Sequence, residues 1–147
     1  MITFLRQNEM RGLSDRWWMF LGRECARMLR YTKHREVGVR FLSLEEMRSY
    51  NRQYRKKDRP TDVLSFEPSA EHARVSPEYL GDLLLCEPYA SHEAARRGLS
   101  TQEELARLVI HGVLHLVGYD HATSEDEAHM FAKQEACVER FLVCVNR

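Results

Sequence analysis

A chain of 147 residues can bury one core without disulfides to staple it, and 44% hydrophobic with 30% charged residues is the balance of a globular protein. Its 22 basic and 22 acidic residues cancel, so no global field draws it to nucleic acid or to a membrane surface, and any such contact must be local. No apolar run reaches the length of a membrane span, Met1-Ile2-Thr3-Phe4-Leu5-Arg6 lacks the build of a secretory signal, and Cys25, Cys86, Cys137 and Cys144 form no C-x-x-C pair, so a cytoplasmic protein with buried thiols is expected.

Neither repeats nor a linker divide the chain, and residues 1–147 read as a single domain. Ile2 and Phe4 alternate with polar neighbours as in a short strand. Ser14 and Asp15 open a helix whose Trp17, Trp18, Leu21, Cys25, Met28 and Leu29 recur at helical spacing, which places the tryptophans in the core rather than on a base-stacking surface. Val37, Val39 and Phe41 predict a second strand, and Ser43-Leu44-Glu45-Glu46 is a capping box for a helix through Met47 and Tyr50.

From Arg48 to Arg59 six basic residues face the one acid Asp58, interleaved with Tyr50, Asn51, Gln53 and Tyr54. A solvated helix face and a surface for phosphates and unpaired bases both fit this pattern. Pro60-Thr61 stops the helix, and a third strand spans 62–67. Residues 69–78 read as a polar loop. Leu80–Cys86 is an apolar run of strand length, predicted to be the most buried strand, and Asp82 inside it needs a partner, either structural or in support of a site.

Pro88 to Gly98 outlines a short helix on which His92, like His72 before it, reads as a surface residue. Ser100-Thr-Gln-Glu103 predicts a capping box for a central helix through Leu105, Leu108, Val109, Gly112 and Leu116. Ser124-Glu-Asp-Glu127 caps a last helix, in which Ala128, Phe131, Ala132, Glu135, Val138 and Leu142 span about five turns.

His111-Gly-Val-Leu-His115-Leu-Val-Gly118-Tyr-Asp-His121 carries the chemistry. Histidines four apart on a helix lie about 40° from each other around the axis, so both imidazoles project toward one point. A third histidine six residues on reaches that point only if the chain turns, and Gly118 supplies the turn. Three nitrogen ligands leave a fourth position open, the mark of a catalytic zinc site. The spacing is that of the zinc-protease signature H-E-x-x-H-x-x-G-x-x-H, except that Gly112 stands where the general-base Glu would be, which weighs against a peptidase.

Three blocks occur in order: Asn51-Arg-Gln-Tyr-Arg55-Lys-Lys-Asp58-Arg-Pro60-Thr61-Asp62-Val-Leu-Ser65-Phe66, Gly81-Asp82-Leu-Leu-Leu-Cys86, and the histidine block. Together they resemble the YbeY family of rRNA-maturation endoribonucleases, essentially end to end. Glu67 before Pro68 departs from the family, which more often places proline straight after Ser-Phe.

The resemblance implies an α+β domain with a small mixed sheet of about four strands, about five helices, and a central helix carrying the histidines. It implies one zinc per chain held by His111, His115 and His121, and a catalytic Arg55 with Arg52, Lys56, Lys57 and Arg59 as RNA contacts. The expected partners are single-stranded RNA, rRNA and the small ribosomal subunit, with neither membrane nor DNA among them. A metallopeptidase-like hydrolase and a non-catalytic assembly factor, its metal closed by a fourth ligand such as Cys86 or Asp120, are the alternatives.

If two or three of the basic groups touch phosphates of a single strand, each adds a slope of about −0.7 to a plot of log affinity against log salt, for a total near −2. Titrating a short unstructured RNA at several salt concentrations measures it. Lys56→Ala with Lys57→Ala should flatten the slope without removing metal; the parental slope in that double variant would make the stretch a solvated surface.

Overall fold

Residues 1–10 and 12–147 are described by the computed structural model, as β1 (Ile2–Arg6), α1 (Asp15–Leu29), β2 (Arg35–Leu42), α2 (Leu44–Arg55), β3 (Val63–Phe66), α3 (Ala70–Val75), β4 (Tyr79–Cys86), α4 (Glu87–Arg96), α5 (Thr101–Leu116) and α6 (Ser124–Val145). The strands form one mixed sheet in the order β1-β2-β4-β3, parallel except for the antiparallel pair β3 and β4. β4 lies inside the sheet, as its apolar run requires, because a strand covered on both faces cannot alternate with polar residues.

Successive side chains of β4 point to opposite faces. Leu83 and Leu85 join the main core with Val37, Val39, Trp17, Trp18 and the buried side of α5. Leu84 and Cys86 join a smaller cluster under α2 with Leu42, Met47 and Leu64. α5 crosses β3 and β4 on the first face, flanked by α4 and α6. Trp17 sits edge-on to Phe141 at 5.3 Å and to Trp18 at 4.9 Å, so the tryptophans are core.

Local signals set the helix starts. Ser14 caps α1 and the Ser43–Glu46 box is complete. At α5 only half of the expected box forms: Ser100 accepts from Glu103 N–H, but the Glu103 carboxylate takes Arg107 instead. α6 is capped by Thr123, one residue earlier than predicted, and Ser124 is already helical. α2 ends before Pro60, at Lys56 in the left-handed region with φ 58°.

Two expectations are corrected. The stretch read as a loop contains α3, which buries no residue and so leaves no apolar period to read. It raises the helix count to six. α6 buries Met130, Gln134, Cys137, Val138 and Phe141, while Phe131, one of the residues expected to recur along the helix, is 60% exposed. The predicted stripe was out of phase because alanines and valines allow more than one face.

Cys25, Cys86 and Cys137 are buried free thiols. Among the described residues no helix is long and apolar enough to cross a membrane.

The phase of α6 has a direct test. Phe141→Ala empties a fully buried site and should cost about 3–5 kcal/mol, whereas Phe131→Ala should stay within about 0.5 kcal/mol. Urea unfolding monitored by tryptophan fluorescence compares them; equal losses would contradict the packing of α6.

Candidate metal centre

α5 has to bury most of its circumference and still present two histidines. Leu105, Val109, Ile110, Val113 and Leu114 are buried, while His111 and His115 sit half-buried on its flank. Gly112 makes this possible: a Cβ there would lie 2.6 Å from Leu83 Cδ2 and 3.3 Å from Ser65 Oγ, so α5 approaches the sheet at the one residue without a side chain. Position 112 thus faces the sheet. A general-base glutamate at this point would be driven into β4, which removes the geometry of the peptidase signature.

Past Leu116 the chain turns at Gly118, φ 98°, with Gly118 N–H donating to His115 O and Tyr119 N–H to Leu114 O. The turn returns His121 to the pair. Ring centroids of His115 and His121 are 5.0 Å apart, those of His111 and His115 4.6 Å, and one nitrogen from each of the three lies within 4.8 Å of the others. Tetrahedral ligands at zinc–nitrogen distances of about 2 Å stand roughly 3.3 Å apart. The three histidines fit such an ion, with the Nε2 atoms of His111 and His115 facing each other at 3.0 Å.

A polar relay sets the tautomer. Gln134 gives its amide N–H to Glu135 at 3.1 Å, so its carbonyl oxygen faces His111 Nδ1 at 2.8 Å and accepts a hydrogen bond from Nδ1–H. His111 Nε2 is left with the lone pair, aimed at the cluster. Glu135 is itself forked by Arg107, at 2.9 and 3.0 Å, and Arg107 also reaches Glu103 at 3.3 Å. Burial works against ionisation of Glu135, but the bonds from Arg107 and Gln134 outweigh it and hold the carboxyl below its usual value.

Burial, then the His111 and His121 rings, and more weakly Arg55 lower the proton affinity of His115, with Asp120 opposing. A neutral imidazole is the form a metal needs.

A cavity of about 470 Å³ contains all three histidines together with Arg55, from the last turn of α2, and Asp120. Arg52, Lys56, Lys57 and Arg59 are exposed outside that lining, and Arg59 is tied by its carbonyl to Asn51. Arg48 is spent on Asp58, at 2.8 and 3.0 Å, which reduces the local charge excess. Asp82 points to the other face of the sheet, where it accepts from the Tyr79 hydroxyl; its role is structural and it gives the histidines no support. Cys86 is buried on that same face, and Asp120 lines the cavity with one oxygen accepting from His121 N–H but is not among the ligand atoms that cluster, which are those of the three histidines alone among the described residues.

Gln134 and Arg107 carry no expectation from the sequence, and Glu135 was expected only as part of the last helix. The signal was there: Gln134 stands four residues after Met130, a polar residue on the buried side of α6, and shows up once the phase of α6 is right.

Fold and site together define a small α+β protein whose central helix and the turn after it bring three histidines to one point beside an arginine. The chain belongs to the YbeY family: the family model described as Endoribonuclease YbeY matches residues 5–142. A relative named Endoribonuclease YbeY from Geobacillus kaustophilus is 48% identical over 72% of each chain, and one of the same name from Geobacillus thermodenitrificans is 45% identical over 81% of each. The solution structure of a Thermotoga maritima protein is similar with a TM-score of 0.64 and 31% identity, covering 96% of this chain and 89% of that one.

The relay predicts a graded metal affinity. Gln134→Leu removes the acceptor of His111 Nδ1–H and should weaken zinc binding about 10–100-fold, whereas His115→Ala should lose most of the metal. Chelator competition and elemental analysis read both. Equal metal content in wild type and His115→Ala would end the chelation argument, and an unchanged zinc affinity in Gln134→Leu would end that for the relay.

Proposed function

We propose that residues 1–147 act as one metal-dependent endoribonuclease domain, cutting single-stranded RNA in the cytoplasm during rRNA maturation, with the small ribosomal subunit as the particle it serves. One observation carries the reading: Arg55 shares its cavity with the three-histidine cluster. His111, His115 and His121 hold the ion, and zinc suits three imidazole nitrogens with a position left open. Bound zinc supplies Lewis acidity at that side of the cavity.

The remaining work falls to the chain. Arg55 donates its planar fork to the non-bridging oxygens of the phosphate being cut, where negative charge builds toward the transition state. The Gln134 relay keeps His111 in one tautomer and one orientation. Arg52, Lys56, Lys57 and Arg59, exposed beside the cavity mouth on the same end of α2 and the loop after it, bind flanking phosphates. The peptidase alternative has no support in a glycine packed against Leu83, and similarity to relatives named Endoribonuclease YbeY supports ribonuclease chemistry.

Arg55→Ala should lower RNA cleavage about a hundredfold, as for loss of one transition-state donor, with fold and metal content intact. Arg55→Lys should restore only part, because a point charge lacks the fork. Single-turnover cleavage of a short RNA measures all three proteins. Full activity in Arg55→Ala would transfer the role to Arg59 or Arg52.

A further inference from the structure

The cavity does not end at the histidines. Its lining extends along α5 toward the α4–α5 turn and includes Asp62, Arg97 and Glu104 together with the apolar Val63 and Leu108. Glu104, Leu108, His111 and His115 form one stripe on α5, and Glu104 stands seven residues before His111, roughly 10 Å along the axis. That is the reach from a nucleotide's phosphate to the far edge of its own base.

The charges at this end do not suit a second phosphate. Arg107 is committed to Glu135 and Glu103, and Arg97 is matched by Glu104 at 3.0 Å, leaving Asp62 as surplus negative charge. What the end offers is hydrogen-bonding capacity. Glu104, 4% exposed, uses one oxygen on Arg97; Asp62 uses one oxygen on Val63 N–H and the Thr61 hydroxyl. Among the described residues the second oxygen of each carboxylate, and the Nε and Nη2 of Arg97, have no partner. Both carboxylates line the same cavity; burial raises the Glu104 carboxyl above its usual value, Arg97 and Arg107 oppose this, and Asp62 adds a smaller upward push.

Two free acceptors beside a free guanidinium donor form a particular pattern. Guanine presents two adjacent N–H donors, at N1 and N2, next to the O6 acceptor; uracil has one donor between two acceptors, and adenine one donor group and one acceptor on the same edge. We propose that Asp62, Glu104 and Arg97 form a nucleobase subsite selective for guanine, seating the base of the nucleotide whose phosphate lies at the histidines. The proposal rests on the ribonuclease reading above. Val63 and Leu108 cover the faces of the base, and only an unpaired base can offer this edge, so the subsite also favours single strands over duplex.

The test uses the full chain loaded with zinc and three uridine-rich oligoribonucleotides that differ at one central position: guanosine, inosine or uridine. With wild type, kcat/KM for cleavage beside guanosine should exceed that for uridine by about tenfold or more, the discrimination expected of one good bidentate contact. Inosine, which lacks the N2 amino group, should fall between them. Asp62→Asn, and Arg97→Ala combined with Glu104→Leu so that no buried carboxylate is stranded, should bring the guanosine-to-uridine ratio toward one, with folding checked by circular dichroism. A purely structural role would lower both substrates alike and leave the ratio unchanged, which overturns the proposal. Equal cleavage of guanosine and uridine RNA by wild type overturns it too while leaving the ribonuclease reading standing, and cleavage of neither ends both.

Discussion

The close approach of α5 to β4 at Gly112 is the constraint on which the rest of the molecule depends. A helix lying on a sheet is held off by its side chains, and at this point there is none, so Leu83 and Ser65 come within contact distance of where a Cβ would be. A larger residue at 112 would have to displace the Leu83 side chain beneath it, on the helix that carries His111 and His115 toward the cavity Arg55 enters from α2. Core packing and the placement of the histidines therefore meet at one residue. The same packing decides how the chain differs from the zinc proteases whose histidine spacing it shares, because the site of their glutamate is inside the core here.

Energetics separate what holds the fold from what shapes the site. Each large apolar side chain buried on α5, α1 or α6 contributes about 1.5–3 kcal/mol, and the main core contains many of them. The hydrogen bonds of the relay contribute about 1 kcal/mol each in net terms, yet leaving one of its buried groups unpaired costs about 1–3 kcal/mol. Glu103, Arg107, Glu135, Gln134 and His111 thus add little stability as a set while being expensive to break. Their effect is to aim one imidazole nitrogen.

Polar chemistry is distributed over the two faces of the sheet in different ways. On the α2 face the Tyr79–Asp82 pair satisfies itself, and its pocket is lined by apolar and aromatic residues together with Gln7 and Arg40. On the α5 face charged groups are chained from α4 across α5 to α6, and several keep unused hydrogen-bonding capacity where the cavity opens. The three histidines and Arg55 line the same cavity as these groups, and that is what distinguishes the α5 face from the α2 face.

Whatever depends on neighbours within a helical turn or two is legible along the chain. The i, i+4 histidine pair, the reversal at Gly118, the capping residues Ser14, Ser43 and Ser100, the tryptophans of α1 and the buried run of β4 all follow from local geometry and periodicity. Only the tertiary structure decided what depends on distant partners. Phe131 and Phe141 differ in burial because of where α1 and α5 pass, and Asp82 faces away from the histidines because of its parity in β4. His111 finds Gln134 from 23 residues away and Arg107 finds Glu135 from 28. A side chain's period can be read along the chain, but the face it buries and the polar group it meets are set by which element packs opposite, and that is a property of the assembled core.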